Sequence, residues 1–258
     1  MILVLGGTTE GKRIDSLLRE KGFNTVLAAV TEYGVALARE EGSLYTRQGA
    51  LEMEGMSRLI KEKNIKMVVD ATHPFAVQAS LNAMEAARSQ GRDYLRLERP
   101  SLETVSSSRI SWAEDFKQAA GEAVKSREKV FLAIGVNNLQ VFFKKAEEAG
   151  VEIIARVLPL SSSLDKCLKL GLKPSRVVAI QGGGSRELNK ALFKEFKVGV
   201  LVTKDSGKEW TEEKVKGALE LGMKVIIVKR PLLHYGEKVF GREEELVEHL
   251  QKILSPAG

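Results

Sequence analysis

The sequence predicts an α/β fold made of two Rossmann-like lobes with parallel sheets and an interlobe cleft. Three observations carry that expectation. An apolar strand, Ile2-Leu3-Val4-Leu5, runs straight into the glycine-rich turn Gly6-Gly7-Thr8-Thr9-Glu10-Gly11 and then into a helix. Short β-rich apolar runs alternate with amphipathic helical stretches along the whole chain. The pattern then resets near residue 100, so the lobes are read as 1–100 and 101–258.

In the first lobe, strands are expected near 2–6, 25–30, 67–71 and 93–97, with helices near 10–21, 34–41, 52–63 and 75–90. The first helix puts Ile14, Leu17 and Leu18 on one face and charges on the other. It ends at Lys21-Gly22, a cation and a glycine where the helix dipole and a left-handed cap favour them. After Glu98-Arg99-Pro100, the Ser-rich alternating stretch Val105 to Trp112 reads as a crossover strand or extended linker. The second series has strands near 130–134, 152–157, 177–181, 199–203 and 224–228. Helices near 114–126, 137–149, 185–196, 211–221 and 242–254 separate them. The last helix repeats Leu246, Leu250, Ile253 and Leu254 at helical spacing and should pack on a sheet. Strand-glycine-helix-glycine-strand recurs at Val4 to Val30 and at Ala133 to Ala155. This echo is equally that of a duplication or of any two β-α-β units.

Composition bounds the function classes. The 258 residues suffice for one large or two small domains. No apolar run approaches the roughly 20 residues of a membrane helix, and the N-terminus lacks the positive region of a secretory signal, so a cytoplasmic protein without a leader is expected. A single cysteine, Cys167, excludes an internal disulfide and any multi-cysteine metal site. The net charge of +6 divides as +1 over residues 1–100 and +5 over 101–258. With few aromatics and none interleaved with a basic run, a stacking platform for nucleic acid is disfavoured and a polyanionic metabolite is the better partner.

Five loops at predicted strand ends can carry chemistry. In the first turn, glycines let the backbone approach a ligand, and Thr8 and Thr9 offer hydroxyls for a phosphate or for an ordinary helix cap. Thr8 occupies the middle glycine position of the dinucleotide fingerprint, so the turn indicates a nucleotide without naming it. Thr31-Glu32-Tyr33-Gly34 closes the second strand, where such folds meet the adenosine ribose; Glu32 suits a free 2′-hydroxyl, while Lys12, Arg13 and Arg39 leave a 2′-phosphate open. Asp70-Ala71-Thr72-His73-Pro74-Phe75-Ala76 ends a buried strand, with Pro74 expected in the first turn of the next helix and His73 at the loop. Gln181-Gly182-Gly183-Gly184-Ser185 reads either as an anion-binding nest or as a flexible connection. Thr203-Lys204-Asp205-Ser206-Gly207 follows another apolar strand, where Lys204 can meet a carboxylate or a ribose. P-loop, Gly-x-Ser-x-Gly, His-Glu-x-x-His and Tyr-x-x-x-Lys patterns are all missing, and three histidines with one cysteine make no metal cluster.

Taken together, Leu5 to Gly11, Asp70 to Ala76, Glu98-Arg99-Pro100, Thr203 to Gly207 and Lys229-Arg230-Pro231 resemble the precorrin-6A reductase family of cobalamin biosynthesis, in order and across nearly the whole chain. The resemblance implies hydride transfer from NADPH, or NADH, to the macrocycle of precorrin-6A or its cobalt form. It implies that Gly6, Gly7, Thr8, Thr9, Glu10, Thr31, Tyr33, Gly34 and Thr72 hold the dinucleotide. Phe75, Arg99, Ser185, Ser206 and Gly207 would meet the tetrapyrrole, with His73 and Lys204 as the candidates for polarisation or proton delivery. The family usually carries Gln-Gly-Pro followed by a large side chain where Gln181-Gly182-Gly183-Gly184 stands here, which implies a looser loop. A basic second lobe suits a substrate bearing many carboxylates. Two other classes stand beside this reading. One is a non-catalytic nucleotide-sensing protein; the other is a nucleotide-sugar transferase, disfavoured by the lack of a metal-binding Asp-x-Asp.

Overall fold

The computed structural model describes the chain except for Thr8, Thr31, Glu41, Leu44, Ala50, 103–106, Lys208 and 255–258, and except for the side chains of Glu32, Tyr33, Leu37, Glu209 and Trp210. The chain forms two compact units, Met1–Arg99 with Pro231–Gly258, and Pro100–Arg230.

In the first unit, β1 (Ile2–Leu5), β2 (Thr25–Ala29), β3 (Thr46–Gln48), β4 (Met67–Asp70), β5 (Asp93–Leu97) and β12 (Val239–Phe240) make one sheet in the order β12-β5-β4-β1-β2-β3. Every pairing is parallel. Strands β1, β2 and β4 are buried along their length, because helices cover both faces. On one face, α1 (Thr9–Glu20) and α2 (Glu32–Glu40) join α10 (Glu243–Leu254), with Ile14, Leu18, Leu246 and Leu250 packed on Val4, Val69 and Leu95. On the other, α3 (Met53–Glu62) and α4 (Val77–Ser89) set Met56, Ile60, Ala83 and Ala86 on Leu3, Leu5 and Val68.

The sequence expectation carried residues 231–258 into the second lobe; the structure returns them to the first. The cause is local. Strand β12 pairs with β5 through Val239↔Arg96 and Phe240↔Leu97, and α10 shields Leu95 and Leu97, which would otherwise face water. Helix α1 also departs from its expected division of faces, because Asp15 is buried. The hydroxyls of Thr25 and Ser43 donate to its carboxylate, each at 2.5 Å, and Arg19 Nε donates at 3.1 Å. A buried charge so bonded is tolerated where a bare one would not be.

The second unit repeats the design. Its sheet runs β6-β11-β10-β7-β8-β9, where β6 is Ile110–Ala113, β7 Val130–Ala133, β8 Ile153–Val157, β9 Val177–Ala179, β10 Val200–Lys204 and β11 Lys224–Val228. All pairings are again parallel. Helices α5 (Phe116–Ala123), α6 (Leu139–Ala149), α7 (Ser161–Lys169), α8 (Arg186–Glu195) and α9 (Glu209–Glu220) flank it. The rings of Phe131 and Phe193 meet edge to face, 5.1 Å between centroids, at the centre of the α8–α9 face. Each sheet therefore has the doubly wound order 3-2-1-4-5 with a sixth parallel strand at one edge: β12, which lies beyond the second unit in sequence, and β6, which precedes β7 within its own unit. The order reverses between β1 and β4 in one and between β7 and β10 in the other. Crevices at such reversals, outside the carboxyl ends of the strands, are where α/β sheets take ligands. No helix among the described residues is long and apolar enough to cross a membrane.

Candidate functional site

At the reversal of the first sheet, Leu5 pairs with both Ala28 and Asp70, so the loops after β1 and β4 leave at one level. The turn after β1 is held shut by two glycines. A Cβ on Gly11 would lie 2.7 Å from the Gly6 carbonyl oxygen, and one on Gly6 would lie 2.9 Å from Gly11 Cα. Strand end and helix start touch backbone to backbone, which brings the amino end of α1 against the sheet edge. That helix end carries a partial positive charge and unsatisfied N–H groups suited to a phosphate. Gly7 is exposed, and a Cβ there would make only a 3.4 Å contact with Ala29 Cβ. Thr9 is the first residue of α1, whereas Thr8 and Thr31 lie outside the described residues, as does the Tyr33 side chain. Gly34 is buried within the first turn of α2.

Beside this turn is a mostly apolar cavity of about 290 Å³. Leu5, Ala28, Ala29 and Val30 wall it from the strands, while Leu51 and Thr72 are among the residues that close it. The side chains of Gln78 and Asn82 also line it; Gln78 Nε2 donates to Asn82 Oδ1 at 2.8 Å, and Asn82 Nδ2 donates to the Leu51 carbonyl at 3.1 Å. Of the cations expected near the ribose, Arg13 pairs with Glu244 and Arg39 Nε donates to the Thr46 hydroxyl.

The loop after β4 is shaped by a buried charge network that sequence reasoning missed. Asp70 and Arg96 are both fully buried, 2.9 Å apart. Asp70 also accepts from the Thr72 N–H at 2.9 Å and from the Tyr94 hydroxyl at 2.6 Å. Arg96 donates to Thr72 Oγ1 at 3.1 Å and to Glu98 at 2.9 Å, and its guanidinium lies 4.6 Å from the centre of the Tyr235 ring. Burial, the Asp70 charge and the hydrogen bond to it push the Tyr94 hydroxyl far above its ordinary pKa, so it stays a donor. Thr72 is thereby fixed by its N–H and its hydroxyl at once.

Pro74 does not begin the next helix. The Ala76 N–H bonds to the His73 carbonyl at 2.7 Å, so 73–76 is a β-turn with proline at its second position, and α4 starts at Val77. The Phe75 N–H donates to His73 Nδ1 at 3.2 Å, and the two rings lie 5.7 Å apart. With Nδ1 accepting, the neutral imidazole carries its proton on Nε2. Glu10 and Arg99, expected to touch different ligands, meet each other in an ion pair of 3.0 Å with both side chains largely buried.

In the second unit, Lys204 ends β10 and burial lowers its ammonium to about pKa 8. Asp205 turns away from any ligand role. It accepts from Ser101 Oγ at 2.9 Å, from the Leu102 N–H at 3.0 Å and from Arg230 at 2.9 and 3.1 Å, while Arg230 also reaches the Pro100 carbonyl. Both points at which the chain enters and leaves this unit are thus tied to one carboxylate. Ser206 is buried with its hydroxyl 2.6 Å from that of Thr211, and Gly207 takes a left-handed φ of 63°. Ser185 caps α8, its hydroxyl accepting from the Leu188 N–H at 3.2 Å. The Gly182–Gly184 loop is tethered, in contrast to the looseness implied by its missing proline. Asn189 Nδ2 donates to the carbonyls of Gly183, Gly184 and Ser185, and Arg156 donates to that of Gly182.

Comparison with known proteins is decisive on kinship. The model of the family described as precorrin-6x reductase CbiJ/CobK matches residues 1–254. The chain belongs to the precorrin-6x reductase family. It is 38% identical over 260 residues to the cobalt-precorrin-6A reductase of Methanothermobacter thermautotrophicus, covering 100% of this chain and 85% of the relative. It is 37% identical over 255 residues to that of Methanocaldococcus jannaschii, covering 98% of each. The solved structure of a CobK precorrin-6A reductase matches at 25% identity with a TM-score of 0.80, over 100% of this chain and 99% of the other. These likenesses place the chain among the reductases of cobalamin biosynthesis.

For a precorrin-6x reductase, the site was partly legible. The glycine turn and the Thr72-His73 loop were found from strand ends. The Asp70–Arg96 network was missed, although Arg96 stands in the strand Tyr94-Leu95-Arg96-Leu97 two residues before Glu98, a spacing that places both side chains on one side. Arg156, within the otherwise apolar run Ile153–Val157 of a fully buried strand, carried an equally readable signal.

Proposed function

We propose that this chain transfers a hydride from NADPH, or from NADH, to the macrocycle of cobalt-precorrin-6A or precorrin-6A, giving the 6B form. The observation that carries the nucleotide half is the Gly6–Gly11 contact at the reversal of a doubly wound sheet. A side chain at either glycine would force the strand end and the helix start apart and so displace the helix amino end that a pyrophosphate would meet; the residues present fit a dinucleotide. The macrocycle comes from kinship: relatives 38% and 37% identical to this chain are cobalt-precorrin-6A reductases, which favours the cobalt form.

In this reading, the backbone of Gly6 and Gly7 with the amino end of α1 and Thr9 would hold the pyrophosphate. The apolar cavity beside Ala28 and Val30 suits an adenine, with Thr72 at its edge. Gly34, Thr8, Thr31 and Tyr33 belong to the same proposed contact surface. When bound, the reduced nicotinamide supplies the hydride. The protein's own part is to orient, to exclude water and to supply charge. His73, held by the Phe75 N–H, presents a donor at Nε2; Lys204, at a pKa of about 8, is mostly protonated at neutral pH and releases a proton readily. Phe75, Ser185, Ser206 and Gly207 are proposed to flank the macrocycle. Arg99 acts through Glu10, as a positioning residue for the turn.

Anaerobic turnover with both dinucleotides and both substrate forms tests the proposal. Oxidation of NADPH that requires cobalt-precorrin-6A supports it, whereas tight nucleotide binding without oxidation would indicate a sensor. The catalytic assignment fails if His73→Ala and Lys204→Ala both keep wild-type turnover at saturating substrate.

A further inference from the structure

The second unit has a cavity of about 160 Å³ at the carboxyl ends of β7, β8 and β9, lined in part by Ala133, Gly135, Arg156, Gly182 and Lys214. Two of its side chains are cations, and both are more than nine-tenths buried, Arg156 at 7% and Lys214 at 8% exposure. Among the described residues, Arg156 donates to neutral oxygens, Asn189 Oδ1 at 3.0 Å and the Gly182 carbonyl, and pairs with no carboxylate. Among the described residues, Lys214 Nζ makes neither a hydrogen bond nor an ion pair.

A buried cation without a counter-charge is strongly disfavoured, and an arginine cannot escape by losing its proton. Lys214 does yield: burial, with the charges of Arg156 and Lys204, lowers it to about pKa 7. A third group favours a polar ligand. Thr203 Oγ1 is buried without a hydrogen-bond partner, and Thr203 pairs in register with Ala133 of the cavity wall, so both side chains leave the same face of the sheet. Native proteins rarely leave such an atom unsatisfied unless something else completes it.

The geometry points to a carboxylate-binding site in this cavity, in which Lys214 pairs with one carboxyalkyl arm of the polyanionic substrate while Arg156 supplies field and fixes the Gly182–Gly184 loop. The identity of the arm's owner rests on the proposed reaction; the anion site itself does not. The cavity is below the roughly 300 Å³ at which pockets begin to hold whole drug-sized ligands, so it suits an arm and not a dinucleotide. A phosphate would favour a free guanidinium fork, but both terminal nitrogens of Arg156 are already engaged.

The test compares wild type with Lys214→Met, which fills the same space without charge, and with Lys214→Arg. Calorimetric titration with tricarballylate, a small tricarboxylate, should show binding to wild type and at least tenfold weaker binding to Lys214→Met, with Lys214→Arg retaining most of it. Turnover should show the KM for the macrocycle raised at least tenfold in Lys214→Met, with the KM for the dinucleotide within about twofold of wild type. Tricarballylate affinity that is equal in all three proteins, or absent from wild type, would overturn the proposal. So would a loss in Lys214→Met confined to pyrophosphate or NADP⁺, which would make the site a phosphate site. If wild type binds tricarballylate through Lys214 yet oxidises no dinucleotide with either macrocycle, the carboxylate site stands and the proposed reaction falls.

Discussion

Lys214 makes stability depend on pH in a way that Lys214→Met should abolish. The unfolded chain holds this ammonium at the ordinary value near 10.5, and the folded chain holds it at about 7. Between those values the unfolded state binds more protons, so stability rises with pH across the window. Above it neither state is charged and the penalty vanishes; below about pH 7 the penalty is complete. At 1.36 kcal/mol per unit, the 3.5-unit gap amounts to about 5 kcal/mol. Wild type relative to Lys214→Met should therefore gain about 2–3 kcal/mol between pH 6.5 and pH 9. Titrating groups that do not feel Lys214 contribute equally to both proteins and cancel; Lys204, whose charge bears on Lys214, is the coupled group, and repeating the comparison in a Lys204→Met background removes its share. The readout is clean, because both tryptophans, Trp112 and Trp210, belong to the second unit. Urea unfolding followed by tryptophan fluorescence at the two pH values gives the difference directly. If the stabilities of the two proteins stay a constant distance apart, Lys214 titrates normally and is not held uncompensated. Bound tricarballylate should shrink the same difference at pH 6.5, since it supplies the missing counter-charge.

Four further outcomes follow from the geometry. Gly11→Ala should lose about 1–2 kcal/mol by far-UV circular dichroism, because overpacking against the Gly6 carbonyl outweighs the helix propensity gained; Gly7→Ala should stay within about 0.5 kcal/mol. Nucleotide titration should find the larger affinity loss in Gly11→Ala. Asp70→Ala leaves the fully buried Arg96 with Glu98 as its remaining carboxylate and takes the acceptor from the Thr72 N–H and the Tyr94 hydroxyl, so it should cost about 3 kcal/mol in urea unfolding, whereas an unchanged midpoint would mean that Glu98 alone suffices for Arg96. Asp205→Ala frees Ser101, Leu102 and Arg230 together and should lower the tryptophan-detected midpoint by more than Ser185→Ala, which removes a single cap worth about 1 kcal/mol.

The fold was legible wherever burial wrote itself as an apolar run. Strand β5 falls at 93–97 as its pattern requires, and of the ten α-helices among the described residues all but α7 were read. That helix begins Ser-Ser-Ser and buries only Ser163 and Cys167, so it lacks the apolar stripe that periodicity detects. Strand β3, Thr46-Arg47-Gln48, has an exposed polar edge and no β-rich core, and β12 is only two residues long. The last helix was found by its leucines, but an amphipathic stripe does not say which sheet it will cover. Only the pairing of Val239 and Phe240 with β5 decides that, and it spans more than 140 residues of chain.

The site divides along the same line. Glycines at a strand end are local signals, because the turn itself demands them. The partners that give the site its electrostatics are not local: Glu10 meets Arg99, Asp70 meets Arg96, and Arg156 approaches Asn189 through topology alone. The two sheets share one strand order yet differ at the reversal. The first places closely packed glycines and an apolar cavity there, and neutralises its buried charges internally through Asp70, Glu98 and Glu10. The second places Arg156 and Lys214 there with no paired carboxylate among the described residues. A fold needing only stability would treat both reversals alike, since uncompensated burial of charge destabilises it. The asymmetry is therefore best accounted for by ligands of different chemistry, a dinucleotide for the first unit and carboxylate arms for the second.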